Sequence, residues 1–251
     1  MNNVRTVSDT KRAFYTSHTR PINTIYRRVV EELMVEMHLL SVNVDFNYNP
    51  IYALGVVTAF ERFMQGYQPE KDKESIFNAL CQAVEGDPQQ YRQDAERLGL
   101  FAKNASNTEL MAWLRGESHK EEVGDLQQQI RAIAHNPNFK YSRLFAIGVF
   151  SLLELSDPAL VKDEKQRVEA LKNIAATLNI SEDKLNKDLE LYRANVDKME
   201  QALATIADIL SADRKKRQQL TPDKGIAVTT PDSEDPSQAP GSPQDKTPFG
   251  S

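Results

Sequence analysis

From Ile22 to Leu40 the large apolar residues recur at steps of three and four: Ile22, Ile25, Tyr26, Val29, Val30, Leu33, Met34, Met37 and Leu40. That period gathers them on one face of an α-helix, with Pro21 in its first turn, where the missing N–H is no loss. The opposite face carries charge, and Arg27–Glu31 and Arg28–Glu32 are i,i+4 neighbours. A short helix capped by Ser8 and carrying Phe14 and Tyr15 is expected before it. Further helices are expected at about 50–65, 70–85, 88–103, 107–115, 119–135, 140–156, 158–179 and 182–218. Asn49-Pro50, Asp87-Pro88 and Asp157-Pro158 each place an N-cap residue before an N1 proline. At Val42, Val44, Phe46 and Tyr48 the period shortens to two, which predicts an extended connector. With no second strand-like run to pair with it, the predicted class is all-α, a single multi-helix bundle.

Two of these helices read alike. YNPIYALGVVTAFE (48–61) and YSRLFAIGVFSLLE (141–154) align without a gap at an offset of 93, matching Gly55 with Gly148 and Glu61 with Glu154. At an offset of 94 Phe77 faces Leu171, Leu80 faces Ile174 and Asp94 faces Asp188. An internal duplication accounts for this, and so does the general likeness of buried helices; a pseudo-symmetric arrangement in the fold separates the two. Both segments are apolar nearly all round, which predicts central, buried positions. Gly55 and Gly148 each cost about 1 kcal/mol against alanine in mid-helix, so helix packing at close backbone approach is expected there, with a ligand contact as the other reading.

The last helix carries Leu185, Leu189, Tyr192, Val196, Met199, Leu203, Ile206 and Leu210 at alternating steps of four and three, a heptad seam. Its flanking positions hold few complementary charges. The seam is expected to pack on its own domain for part of its length and leave the far end for a partner: Met199, Leu203, Ile206, Leu210 and the basic run Arg214, Lys215, Lys216 and Arg217.

Composition divides the chain of 251 residues at about 220. Half of its 12 prolines fall in 222–248, and Pro, Gly and Ser supply 13 of the last 31 residues, so 221–251 is expected to be a disordered acidic tail. The net charge of −5 resides mostly in that tail, leaving 1–220 as a near-neutral helical domain. No nucleic-acid partner is indicated. One cysteine, Cys81, excludes an intramolecular disulfide and reads as a small core residue. No apolar run reaches the roughly 18–20 residues a spanning helix needs.

Candidate chemistry is sparse. The phosphate-binding, nucleotide-binding, nucleophile-elbow, zinc and calcium signatures are missing, and no Glu is followed three residues later by His. Glu32 and Glu36 share a helix face near His38, and His18, His119 and His135 are scattered. These read as ordinary face or core residues. No enzyme and no cofactor are expected. The basic N-terminal residues Arg5, Lys11, Arg12 and Arg20 are either a solvated face or a contact for an anionic membrane surface.

The stretches TVSDTKRAFYTSHTRPINTIYRRVVEELMVEMHLL (6–40), IYALGVVTAFERFMQGY (51–67), DPQQYRQDA (87–95) and YSRLFAIGVFSLLEL (141–155) resemble the thylakoid formation protein family of cyanobacteria and chloroplasts, over about 4–215. With no transit peptide before Val4, the chain looks like a cyanobacterial member. The resemblance implies an all-helical, non-enzymatic accessory factor for thylakoid biogenesis and photosystem II repair. It further implies peripheral association with the cytoplasmic side of the thylakoid membrane and partnership with a membrane FtsH protease complex or a photosystem II assembly. A monomer or weak oligomer is expected. The alternatives are a pigment- or lipid-binding bundle using the aromatic helices 46–64 and 139–153, and a self-assembling coiled-coil scaffold.

Overall fold

The computed structural model describes residues 5–219; the predicted tail, 221–251, lies outside them. Among the described residues there is no strand. The helices are α1 (Val7–Ser17), α2 (Thr24–Ser41), α3 (Pro50–Phe63), α4 (Lys71–Ala83), α5 (Pro88–Asn104), α6 (Asn107–Arg115), α7 (Gly124–Ala134), α8 (Arg143–Ser156), α9 (Pro158–Lys162), α10 (Glu164–Leu178) and α11 (Glu182–Gln219). One compact unit ends at Ile206, and α11 continues past it to Gln219.

The helix starts follow side-chain chemistry. Asn49, Asp87 and Asp157 cap α3, α5 and α9 ahead of N1 prolines, as their dipeptides predict. Four expectations are corrected. Thr6, not Ser8, caps α1, because Thr6 and Asp9 form a reciprocal capping box. Pro21 precedes α2, which starts at Thr24 because the Asn23 side chain takes up the Ile25 N–H. The segment 119–135 is a 3-10 turn (Glu121–Val123) followed by α7. The segment 158–179 breaks at Asp163, whose carboxylate caps α10 at Gln166.

The connector after α2 is a turn rather than an extended segment. The Phe46 N–H donates to the Asn43 carbonyl at 3.1 Å, so the alternation fails and Val44 is 96% exposed while Phe46 and Tyr48 pack on the core.

The two similar helices, α3 and α8, form the buried centre and cross at their glycines. A Cβ on Gly55 would fall on the Leu144 carbonyl, and a Cβ on Gly148 would fall on the Ile51 carbonyl. Leu144 is the counterpart of Ile51, so the contact is reciprocal, as across a two-fold axis. Thr58 and Ser151, also counterparts, share a hydrogen bond at 3.2 Å.

The repetition extends well beyond the crossing. Asp45 and Asn138 donate to the side chains of Asn43 and Asn136, each at 3.0 Å. Phe46–Tyr52 and Phe139–Phe145 pack edge-on, each with ring centres 5.0 Å apart. Tyr48 donates to Asp94 at 2.8 Å, and Tyr141 to Asp188 at 2.9 Å. α4 and α10 end alike, with Glu85 (φ 62°) and Asn179 (φ 54°) left-handed and the next N–H donating to Cys81 or Ala175 at 2.9 Å. Buried Val30, Leu33, Met37 and Leu40 on α2 match buried Val123, Leu126, Ile130 and Ile133 on and just before α7. The first half, α2 to α5, is thus repeated as α7, α8, α10 and α11.

Candidate functional site

Where α2 faces the middle of α11 the repeat is unequal, and there a cleft opens. It lies between α2 and the middle of α11 and has a volume of about 700 Å³. Its floor is apolar: Leu33 from α2, Ala59 and Phe63 from α3, and Leu144 and Ile147 from α8. Along the α11 wall stand Tyr192, Asn195, Lys198, Met199 and Ala202, with Tyr192 edge-on to Phe63 at 5.9 Å. The amphipathic stripe of α2 explains the geometry: Val30, Met34 and Met37 go into the core, while Ile25, Val29 and the charged Arg28, Glu32 and Glu36 face the opening.

The charges on the rim are held unequally. Arg143 grips Glu36 at 2.6 Å, and the other Glu36 oxygen accepts the Leu144 N–H at 3.2 Å, so this carboxylate also serves the N-terminus of α8. Arg28 and Glu32 meet at 3.0 Å on the same helix with both side chains mostly in water, a pair of little energetic weight. Outside α2 a more open, more charged groove of about 920 Å³ continues past Arg27, Glu31 and Leu39 to Tyr141, Lys184 and Asp188. There the Lys184 ammonium sits 4.7 Å over the Tyr141 ring. Burial, and next the Asp188 carboxylate, push the Tyr141 phenol well above its ordinary value, and burial pushes Tyr192 up to about 12. Both phenols remain neutral; Tyr141 donates to Asp188 at 2.9 Å, and the buried Tyr192 hydroxyl has no partner among the described residues.

Among the described residues no cluster of His, Cys, Asp and Glu is placed to hold a metal. His18 meets Ser75 at 2.9 Å and His38 meets Thr10 at 2.8 Å, both buried, which fastens α1 to α4 and α2. His119 faces Gln127, and His135 faces the Arg131 carbonyl. Cys81 is buried, and burial raises its thiol to about 12. The arrangement suits recognition of a shape better than proton transfer.

The candidate residues of the last helix divide at Ile206. Met199 lines the cleft, Leu203 packs beside Gly66, and both are half-buried against their own core, as is Val196. Ile206 is half-buried and Lys215 exposed; the side chains of Leu210, Arg214, Lys216 and Arg217 lie outside the described part. The four N-terminal cations are each paired: Arg5 with Glu85, Lys11 with Glu31, Arg12 with Asp9 and Arg20 with the buried Asp72. The aromatic residues of 46–64 and 139–153 are largely taken up by one another, as in Phe46–Tyr52 and Tyr141–Phe145. Gly55 and Gly148 touch each other's helices and no cavity. Of the cleft residues, Arg143 and Asn195 have no sequence signal of their own; the i,i+4 pair Glu32 and Glu36, the seam positions Tyr192 and Met199 and the aromatic segment that holds Phe63 are the visible traces.

Residues 6–221 match the thylakoid formation protein family. The chain belongs to that family. It is 71% identical over 233 residues to Protein Thf1 of Nostoc punctiforme, covering 93% of this chain and 99% of the relative. Against Protein Thf1 of Trichormus variabilis it is 70% identical over 231 residues, 92% of this chain and 99% of the other. A solved structure of Psb29 is similar, with 43% identity, a TM-score of 0.73, and coverage of 85% of this chain and 99% of that one. The thylakoid formation family match thus spans the whole repeated helical body. No described helix is long and apolar enough to cross a membrane.

Proposed function

We propose that this protein is a non-enzymatic accessory factor of thylakoid formation and photosystem II repair. It works at the cytoplasmic surface of the thylakoid membrane by binding and stabilising a membrane FtsH protease complex. The thylakoid role rests on membership of the family. The docking role rests on one structural observation: α11 continues from Ile206, where its compact unit ends, to Gln219. Its inward seam, Leu185, Leu189 and Tyr192, is consumed by the core, and Ile209 beyond is 57% exposed. A helix that outruns the core it stabilises has surface for another protein.

The test is truncation after Ile206, leaving the compact unit whole. Affinity capture from solubilised thylakoid membranes with full-length and truncated protein, probed for FtsH subunits, reads the outcome. Recovery of FtsH with the full chain and its loss on truncation are expected. Equal recovery from both proteins would overturn the docking role of the distal helix.

A further inference from the structure

We propose that the cleft between α2 and α11 receives an amphipathic helix of a partner protein, one carrying an aromatic residue on its apolar stripe and a basic residue beside it. The occupant's chemistry is read from the other half of the fold. At the equivalent place only a depression of about 400 Å³ remains, and its lining residues Glu122, Phe101, Asn104 and Ala105 correspond to Val29, Asn195, Lys198 and Met199 of the open cleft. Two side chains account for the closure. Arg97 on α5 bridges to Asp125 on α7 at 2.6 and 2.9 Å and also donates to the Glu122 carbonyl at 2.8 Å. Phe101 packs at a tilt against the buried Trp113, ring centres 4.5 Å apart, and lines the depression.

In the open half the carboxylate survives without its clamp. Glu32 stands where Asp125 stands, but the position of Arg97 is held by Leu191, 48% exposed, and that of Phe101 by Asn195. Among the described residues Glu32 pairs with the water-exposed Arg28 of its own helix and with no cation of α11, and beside the floor of Leu33, Ala59, Phe63, Leu144 and Ile147 stands Asn195 where the other half has Phe101. What this half lacks is a cation bonded to Glu32 from across the cleft and a ring at the Asn195 position. A partner helix presenting both at adjacent turns supplies them, with apolar anchors in the groove and a charge fixing the register. The inference deepens the docking reading but concerns a different surface, so truncation after Ile206 tests that reading while leaving the cleft intact.

The test uses the full chain and a synthetic helical peptide with a Leu/Phe stripe flanked by Arg, compared with the same peptide carrying Gln in place of Arg. Fluorescence anisotropy is expected to show the Arg peptide binding about tenfold more tightly, the worth of one well-placed charge pair, with Glu32→Gln abolishing that difference. Leu191→Arg and, separately, Asn195→Phe give this half the closing groups of the other. Each is expected to raise the melting temperature and weaken the Arg peptide. Two variants at separate positions guard against one failing to fold. A photo-crosslinker placed at Asn195 and irradiated with thylakoid membranes is expected to label a basic amphipathic helix of a membrane-associated protein. Equal binding of both peptides, indifference to both closing variants, or crosslinks confined to lipid, pigment, this chain's own 220–251 or a second copy would each overturn the proposal.

Discussion

Replacing Gly55 by alanine adds one methyl group where α3 and α8 cross. The new Cβ would overlap the Leu144 carbonyl oxygen and lie 2.8 Å from its carbon and 2.9 Å from the Gly148 nitrogen. All three are backbone atoms, so no rotamer change relieves the overlap and the helices must move apart. Overpacking of this kind costs about 1–3 kcal/mol in ordinary cores, where side chains can yield. A gap of about 1 Å elsewhere along the crossing forfeits a quarter to a half of each contact's dispersion energy. The residues that lose it include Ile51, Tyr52, Ala59, Phe145 and Leu152, all buried to within 1% of completely. Against this, alanine gains about 1 kcal/mol of helix propensity over glycine. Taking the top of the overpacking range, since no side chain can yield, the net destabilisation is about 2 kcal/mol, which in a body of this size lowers the melting temperature by about 4–8 °C. Circular dichroism during thermal and urea unfolding measures it. Because the contact is reciprocal, Gly148→Ala should cost about as much, and the double variant less than the sum, since the first methyl already separates the helices. A neutral or stabilising Gly55→Ala, or strict additivity in the double variant, would refute the close-crossing argument.

Three further outcomes are expected. Burial holds the pKa values of His18 and His38 below the ordinary 6.5, so the unfolded chain binds the extra protons. Stability should be fully present above about pH 6.5, fall as pH drops toward the depressed folded values, and level off below them; urea midpoints across pH 5–8 check this, with His18→Gln and His38→Gln each reducing the slope. Cys81, with its thiol raised to about 12 by burial, should react with a disulfide reagent only on unfolding, so its labelling rate at rising urea should track loss of helix. In alkaline absorbance titration Tyr48, Tyr52 and Tyr141 should remain protonated until the protein unfolds, since burial, helped by the Asp94 and Asp188 carboxylates at two of them, raises their pKa values; fewer than the chain's eight tyrosines should ionise in the folded state.

How far the fold is legible in the sequence depends on the range over which each decision is made. Asn49-Pro50, Asp87-Pro88 and Asp157-Pro158 mark their helix starts because capping is settled within three residues. Pro21 misleads because a proline is compatible with N1 without requiring it, and the Asn23 cap decides instead. Asp163 is hidden because a cap inside a continuous apolar period leaves that period intact. The alternation at 42–48 has a strand's period, but with no partner strand its backbone groups are satisfied by local turns. The cleft is hardest to see because it is an absence of closure. Its ion pair Glu36–Arg143 joins residues 107 apart, and nothing near Asn195 signals that the equivalent position holds Phe101.

The two halves therefore carry different information. Where they agree, at the crossing glycines, the two Tyr–Asp bonds and the two left-handed helix ends, the shared feature is what an α3-type helix needs in order to be buried, and it holds whatever the protein does. Where they differ, that requirement does not decide the residue. Arg97, Asp125 and Phe101 show that the scaffold can close its cleft with ordinary side chains, using a clamp partly in water and one ring. Leu191 and Asn195 in their places leave an apolar floor open beside a weakly held carboxylate, although cavity-filling and surface-charge changes commonly stabilise proteins by about 0.5–2 kcal/mol. Stability alone favours the closed arrangement in both halves. The open one is what a surface reserved for another molecule requires, and that makes the departure from internal symmetry, more than any single residue type, the functional signal in this chain.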